Sequence, residues 1–167
     1  GLSDAAMVAV RAQISASAAA RQIFYNLTAE KAAEGLLFPG NANISAPLGA
    51  LAQNANTALE KNSLFAMCKT LGATVVGSAL VGMNANEQEA LLNGVAAKVD
   101  DPAATAAEKA EAAKFLAKTL GFLHSGLAMA ANNPVYQFSN DNAAAILAQV
   151  NDLTLMQAII KAAKPGV

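Results

Sequence analysis

No part of this sequence alternates apolar and polar residues with period two for long enough to make a strand, so its regular structure has to come from helices. Helix punctuation recurs along the chain instead. Ser3 or Asp4 is placed to cap a first helix running to about Asn26, with Met7, Val10, Ile14, Ala18 and Ile23 as its apolar stripe. Thr28 opens a short second helix ending at Gly35, and "LLFPGNANISAP" is an irregular link. Ser45 caps a third helix with Pro47 in its first turn, where a missing N–H is harmless. Ser63 is read as the cap of a fourth helix reaching Met83, and Asn86 with Glu89 as a capping box for the next.

Asp101-Pro102 then opens a long helix that Asn133-Pro134 ends. "PVYQFSND" reads as a loop or short extended piece, and Asn140 or Asp141 as the cap of a helix to about Val150. Asp152 or Thr154 caps the last helix, closed by Pro165-Gly166. The expectation is an all-α, compact bundle of seven or eight Ala-rich helices without significant β-sheet, forming a single domain over 1–167. A weak internal echo links "KTLGATVVGSALVGMNAN" (69–86) to "KTLGFLHSGLAMAANN" (118–133), which either chance in an Ala, Gly and Leu-rich chain or a duplication explains.

The balance of residue types narrows the function. Hydrophobic residues make up 54% and charged residues 14%, against about 25% charged in ordinary soluble domains. Much of the excess is alanine, a strong helix former with little apolar area to bury. Surface left apolar after folding is expected to be covered by an apolar ligand, by other copies or by a membrane. A net charge of −1, with Lys and Arg scattered from Arg11 to Lys164, argues against nucleic acid, which demands a basic patch.

Cys68 is the single cysteine, which excludes an intrachain disulfide and a Cys-based zinc cluster; in "SLFAMCKTLG" it reads as a small buried hydrophobe. The sequence opens on Gly1 with no basic or apolar leader pattern, and an initial Gly in place of Met fits a processed chain. That favours a secreted, periplasmic or lumenal compartment as an expectation. The longest uncharged stretch, between Lys69 and Glu87, ends in polar residues and falls short of the about 20 apolar residues a membrane span requires.

Enzymatic chemistry has little support. The sequence holds no G-x-S-x-G, GxGxxG or P-loop, and its lone histidine forms no H-E-x-x-H pattern. Ser125 follows His124 directly, about 100° around a helix, so the two form no dyad. We read the chain as non-enzymatic.

Two sets of residues are candidates for binding. His124 lies in a run of apolar and small residues, and Phe115, Gly121, Phe122, Ser125, Gly126 and Met129 complete a candidate pocket for a bulky apolar ligand. A neutral imidazole there suits the axial position of a tetrapyrrole metal, so chlorophyll and haem join carotenoid and lipid as ligand classes. A histidine satisfied by a backbone carbonyl or by solvent is the structural alternative. The second set, Ala73, Gly77, Ser78 and Gly82, forms small-xxx-small pairs that let another backbone approach closely. The expected function is therefore a helical carrier of a bulky apolar ligand held between small-residue helix faces. The alternative is a structural subunit that self-assembles into an oligomer, filament or larger complex.

Overall fold

The computed structural model describes residues 4–33, 44–126, 133–154, 156–157 and 160. Among them are eight α-helices and no strand: α1 (Asp4–Ala16), α2 (Ala18–Ala33), α3 (Ser45–Asn54), α4 (Ala58–Leu71), α5 (Ala73–Val81), α6 (Ala85–Asp100), α7 (Ala106–Gly126) and α8 (Pro134–Gln149). The all-α bundle anticipated from the sequence is the architecture found.

Several boundaries differ from the sequence expectation, each for a visible local reason. The first helix does not run to Asn26. Ser17 interrupts it, its Oγ accepting from the Ala20 N–H at 3.1 Å, and α2 continues through Thr28 to Ala33. Ser63 does not cap a helix; it lies inside α4, whose cap is Thr57, with Oγ1 accepting from the Glu60 N–H at 3.1 Å. The expected fourth helix is two, because Gly72 has φ +92° and α4 and α5 meet there at 106°. The capping box of α6 is Asn84 with Glu87, two residues before the pair expected. Thr105 and Glu108, rather than Asp101, cap α7. "PVYQFSND" is helical: Asn133 accepts from the Val135 N–H and Pro134 occupies the first helical position. Ser45 begins α3 without capping it, its hydroxyl donating instead to the Ala79 carbonyl of α5 at 2.8 Å.

Helix α6 is the hub. It packs against α3, α4, α7 and α8, while α1 lies on α2 and α3, and α2 lies on α4. The core between them is built from Leu48, Leu51, Leu64, Met67, Leu80, Leu91, Leu92, Leu116, Leu120, Leu123 and Ile146, all fully buried. Alanines 79, 112, 113 and 117 are as completely enclosed, which draws the helix backbones close together. Phe65 and Phe115 meet edge to face at 6.0 Å, and the Lys69 ammonium lies 4.9 Å from the Phe65 ring centre.

Gly77 of α5 lies against Phe122 of α7. A Cβ at this position would come within 2.5 Å of the Phe122 ring. Gly77→Ala is therefore expected to destabilise the fold by about 1–3 kcal/mol through overpacking. The penalty should largely vanish in a Phe122→Leu background, a coupling that a double-mutant cycle of urea unfolding measures.

Candidate functional site

Helices α1 and α2 diverge from the interruption at Ser17 and leave an apolar groove between them. Ala9, Val10, Gln13 and Ile14 line one side, and Ala20, Ile23 and Phe24 the other. On each helix these positions recur at three- and four-residue spacing, so each set shares one face. Ile14 is buried at the bottom, Val10 and Phe24 pack against the core, and Ile23 stays 60% exposed. The volume is about 350 Å³, and among the described residues of the lining Gln13 alone carries a polar side chain. Ala9 and Ala20 keep the walls low, as small residues on facing helices do.

Two ion pairs fix this helical pair to the rest of the molecule. Arg21 of α2 donates from Nε and Nη2 to Glu60 Oε1, at 3.2 and 2.8 Å. Arg11 of α1 donates to Glu87 Oε2 at 2.9 Å. Both carboxylates are buried, and each is the third residue of its helix. The other Glu60 oxygen accepts from the Asn56 N–H, and the other Glu87 oxygen from the Asn84 N–H. Glu87 reaches α1 across Gly49 of α3, where any Cβ would fall on its carboxylate.

Beside Arg21 and Glu60 the Tyr25 hydroxyl is buried without a hydrogen-bond partner. Burial, and then the negative charge of Glu60, pushes its pKa up to about 12, with Arg21 pulling the other way. Burial alone pushes the Cys68 thiol up to about 12 as well, which suits an inert core residue and not a nucleophile.

The sequence-predicted site residues are distributed differently. Phe115 is buried against Phe65, and Phe122 is half-buried with its ring on Gly77, so both rings serve helix packing. Gly121 is half-buried on α7. The backbone at His124, Ser125 and Gly126 continues α7, but their side chains lie outside the described residues, and so does Met129. Ala73 packs against the core beside the buried Gly77. Ser78 is half-buried, and Gly82 is exposed with the Ser45 hydroxyl where its Cβ would be. The echoing Lys-Thr-Leu-Gly runs take two shapes: 69–72 ends a helix at a corner, whereas 118–121 continues through α7. Among the described residues no three His, Cys, Asp or Glu side chains converge as a metal site, and no single helix is long and apolar enough to cross a membrane.

Sequence reasoning missed the groove because it merged α1 and α2 into one helix. The available signal was the pair Ser15 and Ser17 within an otherwise alanine-rich run. Comparison with known proteins adds no relative: no family model matches the chain, and no curated protein or solved structure does.

The buried pairs make two expectations measurable. Removing Glu60 strands the Arg21 guanidinium, so Glu60→Ala should cost about 3 kcal/mol or more in urea unfolding. Glu111→Ala, which breaks an exposed pair with Lys69, should cost under about 1 kcal/mol. Folded Tyr25 and Cys68 hold their protons to about pH 12, against ordinary values of 10.0 and 9.0. Their contribution is then fully present below pH 9.0 and is lost as pH rises from there towards 12. The unfolding midpoint should fall between pH 8.5 and pH 11 (about the window set by linkage), and fall less in Cys68→Ala and Tyr25→Phe.

Proposed function

We propose that this chain is a non-catalytic binding protein that holds a linear apolar group, the chain of a lipid or a carotenoid, in the groove between α1 and α2. The observation that carries the reading is the lining itself: about 350 Å³ of groove with a single polar side chain among the described residues. Sites for small molecules start at about 300 Å³ and are mostly apolar, so the size and chemistry agree with a narrow ligand. A flat macrocycle fits less well, because a polar ring periphery finds only Gln13 to bond.

A second reading is self-assembly through the same face. Ile23, on the edge of the groove, is 60% exposed, apolar surface that a second copy would cover. An apolar ridge from a second copy of α1 or α2 is then the occupant, in the manner of helix-in-groove recognition.

One substitution tests both. Ala20→Phe fills the groove from its wall while adding a side chain to a largely exposed stretch. Titration with cis-parinaric acid, followed by its fluorescence, should saturate for the native chain and weaken about tenfold in Ala20→Phe, equivalent to about 1.4 kcal/mol. Leu59→Ser, outside the groove, should leave the titration unchanged. Absence of saturable binding, together with an oligomer in sedimentation equilibrium that Ala20→Phe dissociates, selects self-assembly.

A further inference from the structure

A second recess, of about 300 Å³, opens between α4 and α6. Ala58, Lys61 and Asn62 line it from α4, and Gly94, Ala97, Lys98 and Asp101 from the end of α6. Steps of three and four residues within each set put every member on one face of its helix. Ala58, Gly94 and Ala97 keep the floor low. Gly94 is itself buried, with Leu64 3.1 Å from where a Cβ would stand.

The recess brings together two of the lysines that meet no carboxylate among the described residues. Arg11, Arg21 and Lys69 each meet a carboxylate. Lys61 and Lys98 are half-buried and line the same void, and among the described residues neither side chain has an ion pair or a hydrogen bond. Each contributes one positive charge to the lining. Asp101, the single carboxylate of the lining, already accepts the Ala103 N–H on Oδ1 at 2.8 Å.

We propose that this recess binds a small, soluble phosphate monoester. A phosphate dianion matches two ammonium charges and presents three acceptor oxygens, and lysine is a common phosphate ligand. A lone carboxylate would neutralise one cation and leave the other. The Asn62 amide and the second Asp101 oxygen are placed to meet hydroxyl groups on the ester's organic part, the first donating or accepting and the second accepting. A recess of this size holds a phosphate with a short hydroxylated body. This site is separate from the α1–α2 groove in residues and chemistry, so either assignment can fail without the other.

The test is calorimetric titration of the full chain with glycerol 3-phosphate and with inorganic phosphate. Glycerol 3-phosphate should bind saturably and more tightly than inorganic phosphate. Lys61→Met and Lys98→Met, which keep the apolar stem, should each weaken it about tenfold with unchanged helical circular dichroism. In the native chain, glycerol 3-phosphate should also shield Lys61 and Lys98 from reductive methylation, read by peptide mass spectrometry, while Lys109 and Lys114 stay reactive. No saturable binding of either phosphate, or undiminished binding in the Lys61→Met/Lys98→Met double variant, overturns the proposal. Retention on phosphatidic acid vesicles over phosphatidylcholine vesicles, without binding of glycerol 3-phosphate, moves the phosphate to a lipid headgroup and overturns the soluble ester.

Discussion

Two buried carboxylates organise this molecule. Glu60 and Glu87 each occupy the first turn of a helix, each return a hydrogen bond to the backbone before that turn, and each take an arginine from the α1–α2 pair. A negative charge at a helix N-terminus is favourable in its own right, which offsets part of the desolvation that burial imposes. The arginines complete the neutralisation. The same two side chains thus start α4 and α6 and anchor α2 and α1 upon them. The divergence of α1 from α2, and with it the groove, is held from outside by charge and from inside by Ile14 and Phe24.

Elsewhere the fold relies on close approach instead of bulk. Phe122 needs Gly77, the Glu87 carboxylate needs Gly49, and the Ser45 hydroxyl needs Gly82. Enclosed alanines along α7 let α6 and α5 lie against it, so dispersion between backbones and short side chains supplies cohesion that larger residues provide in other bundles. Among the described residues the large apolar side chains left exposed are Val8, Ile23, Leu59, Val81, Leu153 and Ile160, of which Ile23 borders the groove.

Much of this was legible in the residues, and what was not follows from competition among similar signals. Helical class followed from the lack of period-two patterning and from alanine. Helix starts were harder, since asparagine, serine and threonine abound: Asn84 with Glu87 and Asn86 with Glu89 are equally good capping boxes on paper. The first prevails because only Glu87 can also reach Arg11 across Gly49, a tertiary fact. Likewise Thr57 prevails over Ser63 because its turn brings Glu60 to Arg21. Of the small residues at Ala73, Gly77, Ser78 and Gly82, Gly77 lies against the Phe122 ring. His124 drew attention as the one imidazole, and its side chain lies outside the described residues.

The corner at Gly72 has a consequence of a different kind. Nothing lies within 4 Å of where its Cβ would be, so the torsion φ +92° is set by the turn and not by crowding. Were that one torsion helical, α4 and α5 would join into a rod of 24 residues, about 36 Å long at 1.5 Å per residue, against about 30 Å for the hydrocarbon interior of a bilayer. By length and composition alone the two helices together suit such a setting; with the 106° elbow they form a corner that buries Leu64, Val76 and Leu80 in the core. A single achiral residue thus separates a globular corner from a segment of membrane dimensions.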